Sequence, residues 1–223
     1  MVRFNPECRA CPRLATFLDD TRAQFPTYFC RPVPPFGDPA ARLVVVGLAP
    51  GMHGANRTGR PFTGDHAGIL LYETLHRFGF ASAPASVSAD DGLRLIDCRI
   101  TNAVKCLPPG NKPEMAEIVR CNVFLRAELQ VLPPGTVVLA LGLIAHNAVL
   151  RALGLKAGTR TFSHAARHEL PGGLTLFDSY HCSRYNTQTR RLTPEAFAAV
   201  FSTIRDFMET SPCPLSALSS PVN

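Results

Sequence analysis

Between Leu43 and Asp65 the chain reads LVVVGLAPGMHGANRTGRPFTGD, and its polar half is dense in side chains that can touch a ligand. His53, Asn56, Arg57, Thr58, Arg60, Phe62, Thr63 and Asp65 place cations, one aromatic face and a single carboxylate in one loop. The loop has neither a G-K-[ST] ending nor a G-x-G-x-x-G run, so a triphosphate cradle or a dinucleotide turn does not account for it. Asp65 stands directly before a helical pattern, where capping is the ordinary duty of an aspartate. Phe62 is either core or an exposed stacking platform. A second stretch, Tyr180-His181-Cys182-Ser183-Arg184-Tyr185-Asn186-Thr187-Gln188-Thr189, sets one histidine among hydrogen-bonding neighbours. Arg184 and Tyr185 fall on what should be an exposed loop, as a solvated turn or as a wedge that props a duplex open. Asn102 ends an apolar run, and its amide can read a carbonyl and an N–H of a pyrimidine edge together. Arg57, Arg60, Lys105, Lys112 and Arg184 are candidates for phosphate contact, with solvated charge as the alternative.

Cysteines supply a third chemistry. Cys8-x2-Cys11 has metal-ligand spacing, and Cys106 and Cys121, separated by 14 residues, can close a four-thiolate site. Spacing alone leaves tetrahedral zinc and an iron–sulfur cluster equally open. Cys30, Cys98, Cys182 and Cys213 lack partner spacing, and Cys98 reads as a small core residue.

These groups need a scaffold. Leu43–Val46, Arg99–Val104, Thr136–Leu141 and Leu174–Ser179 read as four short strands, each bounded by Gly, Pro or a polar turn. Helical spacing fills the segments around Leu14–Leu18, from Ile69 to Gly79, from Pro113 to Pro133, from Gly142 to Gly154, and from Thr193 to Phe207. Pro26–Pro39 reads as an extended connection, and 81–92 and 156–169 as irregular surface. Alternating strands and helices predict an α/β fold, three layers with a central four-stranded parallel sheet. In such a sheet the loop 47–65, Asn102 and His181 all arrive at one edge. One domain over 1–210 is expected, with 211–223 as a disordered tail of Ser, Pro and small residues. The net charge of +6 and pI near 9.1 suit a polyanionic partner. No apolar run approaches the roughly 20 residues of a membrane span. With no secretory leader pattern at the N-terminus, a soluble cytoplasmic monomer is expected, in which eight cysteines do not form a disulfide framework.

As a string, GLAPGMHGANRTGRPFTGD resembles the first motif of the iron–sulfur uracil-DNA glycosylases of family 5 (type B), GLAP-x-x-HG-x-NRTGR-x-FTGD. His181-Cys182-Ser183-Arg184-Tyr185-Asn186-Thr187-Gln188-Thr189 is similar to the second, H-x-S-R-x-N-T-Q-T. The likeness runs from Cys8 to Thr193. It implies a DNA repair hydrolase that flips uracil, or another deaminated base such as hypoxanthine, out of DNA. The enzyme would cut the N-glycosidic bond and leave an abasic site. It implies a [4Fe–4S] cluster on Cys8, Cys11, Cys106 and Cys121, with a structural role. Phe62 would stack on the flipped base, and His181 would stabilise negative charge on the departing base. Stricter relatives take their catalytic acid from the turn after the first strand, where this chain has Ala49. The role would pass to Asp65, beside the developing oxocarbenium ion and its attacking water. Asn102 matches an asparagine that recognises uracil in the sister family 4. Gly51 stands where strict enzymes carry a tyrosine that crowds the thymine methyl, which implies a wider pocket. The motifs hold no lysine placed for a Schiff base, so monofunctional chemistry is expected. Two other classes compete: a non-catalytic iron–sulfur module that binds damaged DNA, and a zinc-dependent nucleotide hydrolase. The second would have only His53, Asp65 and His181 as ligands.

Overall fold

The computed structural model describes residues 3–210; the expected disordered tail at 211–223 lies outside the described residues. In chain order the elements are α1 (Pro12–Gln24), β1 (Phe36–Gly37), β2 (Leu43–Gly47), the short α2 (Ala55–Thr58) and α3 (His66–Arg77). Then come β3 (Cys98–Asn102), α4 (Met115–Leu129), β4 (Val137–Leu141), α5 (Leu143–Ala152), β5 (Arg167–Leu170), β6 (Leu174–Ser179), α6 (Arg184–Gln188) and α7 (Pro194–Thr210).

They build one six-stranded sheet in the order β1-β3-β2-β4-β6-β5. The four strands expected from the apolar runs, β3, β2, β4 and β6, are mutually parallel at its centre. Every residue of β2, β4 and β6 is buried. Because strand side chains alternate between faces, Val44 and Val46 pack on one side and Leu43 and Val45 on the other. The first face is covered by Leu14 and Leu18 of α1, Ile118 and Leu125 of α4 and Val149 of α5. The second is covered by Leu71 and Leu75 of α3 and Phe197, Phe201 and Ile204 of α7. Each such buried side chain contributes about 1.5–3 kcal/mol of transfer free energy, which is what holds three layers together.

Two strands were not foreseen. β1 pairs antiparallel with β3 from within the proline-rich connection, and β5 pairs antiparallel with β6 from within the segment 156–169, expected to be irregular. β5 (RHEL) is mostly solvent-facing, so it has no apolar run to betray it, and β1 is two residues long. Both cover the edges of the parallel core.

Helix starts follow local chemistry. Asp65 Oδ1 accepts the Gly68 N–H at 2.9 Å and caps α3. Glu117 reaches back to accept the Glu114 N–H at 2.7 Å at the start of α4, and also receives Arg13 Nε at 2.8 Å, tying α4 to α1. Thr193 Oγ1 accepts the Ala196 N–H at 3.1 Å and starts α7. The parallel register sets Gly47 opposite Asn102 and Leu141 opposite Ser179, so the carboxyl ends of all four strands open onto one edge.

Candidate functional site

At that edge lies a cavity of about 660 Å³. Gly51, Phe62 and Asp65 reach it from the loop after β2, Asn102 from the end of β3, and His181, Arg184 and Tyr185 from the segment after β6. Of the residues expected at the sheet edge to bind the base or DNA or to catalyse, all but Arg57 meet in this one place.

Phe62 is 6% exposed, and its ring faces the His181 imidazole at a centroid distance of 5.8 Å, tilted by 28°. It is both core and cavity wall, which merges the two readings of the sequence. Its φ of +55° is rare for a bulky side chain and marks a locally strained loop. Space for the ring comes from Gly47: a Cβ there would stand 2.6 Å from the Phe62 ring and would strike Asn102 Oδ1. Gly54 does the same for the acid, since a Cβ there would lie 2.6 Å from Asp65 Cβ. Gly51 is different. A Cβ at that position would make only an ordinary 3.4 Å contact with Asp65 Oδ2, so this part of the wall is open rather than forbidden.

Charge in the cavity is set by burial. Burial raises the Asp65 carboxyl above the usual range, opposed by the backbone N–H groups of Gly68 and Ala67 and by His66. Burial alone lowers His181 to about 4, so its imidazole is neutral at pH 7. Neither Asn102 Oδ1 nor His181 Nδ1, both buried, has a hydrogen-bond partner within the protein. Buried polar atoms in native proteins are almost always paired, and these two face one cavity with hydrogen-bonding capacity to spare.

The segment after β6 is not the open loop expected. Ser183 accepts the Asn186 N–H at 3.4 Å and starts α6, Asn186 Nδ2 donates to the His181 carbonyl at 2.8 Å, and His66 bonds Thr187 Oγ1 at 3.1 Å. The turn is therefore pinned to α3, while Tyr185 stays 70% exposed at the rim. Arg57, exposed, lines a neighbouring groove that shares Asp65, His66 and Arg184 with the cavity; its Nε donates to the His53 carbonyl at 2.7 Å. Two phosphate candidates are corrected. Arg60 is buried, bridged to Asp91 at 2.6 Å and stacked 4.5 Å over the Phe36 ring. Lys105 is buried against Glu128 at 2.7 Å. Both charges serve the interior. Lys112 is exposed and lines the cavity with Gly110 and Asn111. Sequence reasoning did not single out His66, Leu143 or Ile144, which also line it; residues at helix starts after strand ends were the available signal.

Cys8, Cys11, Cys106 and Cys121 line a second, largely apolar cavity of about 260 Å³ on the α1–α4 face. Burial, then the neighbouring thiols, pushes Cys106 up to about 12; burial pushes Cys121 up to about 11, partly offset by the Lys105 backbone N–H at 3.3 Å. A cation between the sulfurs would reverse that penalty, which is how thiolate sites couple to metal. Among the described residues, only His146, His168 and Asp178 bring three ligand atoms within 4.8 Å of one another. Four sulfurs around a single zinc would sit about 3.8 Å apart, given Zn–S bonds of about 2.3 Å. The four cysteines share the lining of one cavity without forming such a group.

Residues 34–205 match the family model of the uracil DNA glycosylase superfamily. The chain belongs to that superfamily. It is 50% identical to a type-5 uracil-DNA glycosylase of Thermus thermophilus over 86% of this chain and 90% of that protein. A type-5 enzyme of Mycobacterium leprae is 44% identical (87% and 88%), and one of Pyrobaculum aerophilum 45% identical (86% and 85%). The superfamily assignment agrees with the three-layer α/β/α architecture and with the cavity at the carboxyl edge of its parallel strands. No helix among the described residues is long and apolar enough to cross a membrane.

Proposed function

We propose that this chain is a monofunctional uracil-DNA glycosylase. The observation that carries the reading is the pair of orphaned polar atoms, Asn102 Oδ1 and His181 Nδ1, in a cavity that also holds the Phe62 ring and the Asp65 carboxylate. A flipped uracil offers an N3–H for Asn102 Oδ1, where cytosine would offer only an acceptor. Stacked on Phe62, the base would lie with its O2 toward His181. A neutral imidazole has one N–H to donate. As the C1′–N1 bond breaks, its electron pair passes to the base, and that N–H stabilises the resulting anion. Asp65, as its carboxylate, supports the cationic sugar and orients water, whose oxygen bonds C1′ while its proton passes to the carboxylate. The base anion takes its proton from solvent. A desolvated acid placed at the reacting sugar argues against a purely binding role.

Uracil and other deaminated bases in DNA are the substrates, with the wall at Gly51 open to larger ones. The amine at the cavity, Lys112, sits exposed on the rim, outside the reacting pair. The test is a panel of single-lesion duplexes incubated with protein and treated with alkali. Cleavage only after alkali is expected for uracil-containing strands. Borohydride trapping of a covalent protein–DNA adduct would instead assign a Schiff base to Lys112. No excision of any lesion would end the reading.

We infer further that Cys8, Cys11, Cys106 and Cys121 would hold a [4Fe–4S] cluster. It would supply a cross-link between the N-terminal segment and α4, with no part in the hydrolysis. Brown protein with broad visible absorption, lost when any of the four becomes Ser, is expected. Zinc without iron in anaerobically prepared protein would refute it.

A further inference from the structure

The cavity has two lips, and each is the start of a helix. On one, α6 opens with Arg184 and Tyr185. On the other, α5 opens with Leu143 and Ile144, 54% and 41% exposed, although Ala145, Ala148, Val149 and Leu150 of the same helix are buried. Both aliphatic side chains line the cavity. Their position is fixed from behind: the Gly142 N–H donates to the Ser179 carbonyl at 2.8 Å, two residues before His181. The lip and the imidazole therefore share one anchor. Leu143 and Ile144 are adjacent exposed aliphatics on the cavity lining, and cations stand around the same mouth at Lys112 and Arg184.

We propose that Leu143 and Ile144 form an apolar wedge, so that the duplex is opened from both lips at once. This rests on the base-flipping reading above. When a nucleotide turns into the cavity it leaves a gap in the base stack, and its neighbours expose apolar faces to water. Branched aliphatic side chains fill such gaps in other nucleic-acid-binding proteins, where the cost of unstacking is offset by the protein surface that the opened duplex covers. The occupant of this lip is the base-pair step flanking the extruded nucleotide. Its phosphates face Arg184 and Lys112, and its stacked bases face Leu143 and Ile144. A division of labour follows: α6 supplies a cation and an aromatic ring, and α5 supplies the hydrocarbon that holds the gap open.

The wedge matters only where there is a stack to hold open, which defines the experiment. The double variant Leu143→Ser/Ile144→Ser is compared with wild-type holoprotein in single-turnover excision of uracil from U:A duplex, U:G mispair and single strand. Both side chains are already solvent-exposed, so the fold should persist, and visible absorption with thermal melting checks it. The expected result is about a 10- to 100-fold loss on U:A, a smaller loss on U:G because a mispair opens more cheaply, and an unchanged rate on single strand. Leu143→Met/Ile144→Met should keep the duplex rate. A loss of equal size on single strand would place these residues in base binding and overturn the wedge. An undiminished U:A rate would overturn it too. Wild-type protein inactive on all three substrates would instead overturn the glycosylase reading beneath it.

Discussion

His181 and His146 both adjoin β6, one just after its end and one bonded to Asp178 near that end, and the protein treats them in opposite ways. His146 is fully buried with both ring nitrogens facing acceptors: Asp178 Oδ1 at 2.8 Å and the Arg160 carbonyl at 3.0 Å. Satisfying both requires two N–H groups, which favours the protonated ring. Burial lowers its pKa, but the Asp178 bond and charge outweigh that and the net shift is upward. His168 Nε2 closes the group against Asp178 Oδ2 at 3.2 Å. At His181 burial acts without a partner, and the ring is neutral with an idle nitrogen. Burial is common to the two rings; unmet hydrogen bonding belongs to His181 alone. The His146 group completes itself, while the His181 group waits for a ligand.

Removing one partner from the completed group should be the costlier change for stability. Asp178→Ala leaves a buried imidazolium without its counter-charge and should lower unfolding free energy by about 3–5 kcal/mol in denaturant melts. If the loss is under about 1 kcal/mol, Asp178 is not the counter-charge. The pH signature has a definite sign. A raised folded pKa at His146 gives stability that is complete below the ordinary value near 6.5 and is lost as pH rises through the folded value. His146→Gln should lack that alkaline decline.

The incomplete group should respond chiefly in rate, with a further cost of about 0.5–2 kcal/mol in Asp65→Ala for the lost α3 cap. His181→Ala and Asp65→Ala are expected to bind uracil-containing DNA but to lose roughly 10²–10³ in single-turnover rate. The pH dependence sharpens the contrast. His181 stays neutral until pH falls to about 4, so activity should show no inflection near 6.5. It should fall on the acid side as Asp65 protonates at its raised pKa. An inflection near 6.5 that vanishes in His181→Gln would mean that the ring works protonated.

A smaller effect is expected at Gly51. Gly51→Tyr should fit the backbone and narrow excision toward uracil, with discrimination of about 1–3 kcal/mol against bases one group larger. If wild type is already as narrow, the open wall contributes nothing and Asn102 sets the range. Smallest of all, Arg57→Ala should lower the slope of log affinity against log salt by about one unit. Arg60→Ala should leave that slope alone and lower stability, because its charge is engaged by Asp91.

What could be read in the sequence follows the range over which its signals act. The four parallel strands are runs such as Val137–Leu141, apolar because both faces are buried, and α1, α3 and α7 begin at a cap or proline visible within a few residues. The site was legible for the same reason: strand ends in a parallel sheet converge, so Asn102 and His181 had to arrive beside the 47–65 loop. Arg60 and Lys105 were misread because Asp91 and Glu128, which bury them, come from distant segments. Arg60 and Asp91 are 31 residues apart, and no local pattern joins them. β5 was missed because its pairing with β6 rests on backbone hydrogen bonds, which a sequence as polar as RHEL does not advertise. The helical form of 184–188 depends on Ser183, a cap that a reading centred on His181 passed over.

The tight spaces at Gly47 and Gly54 bear on how this segment can drift over generations. The nearest atoms that a methyl group at 47 would strike belong to Phe62 and Asn102, and those at 54 belong to Asp65. Each position is thus constrained by a residue elsewhere in the sequence, and the constraint has a direction. A lineage that lost both the ring and the amide could fill position 47 with alanine without meeting those two side chains. It would then be barred from regaining either group one substitution at a time. Paired mutational scanning should show this asymmetry: Gly47→Ala tolerated for expression when Phe62→Ala and Asn102→Ala are present, and rejected when either wild-type side chain is restored.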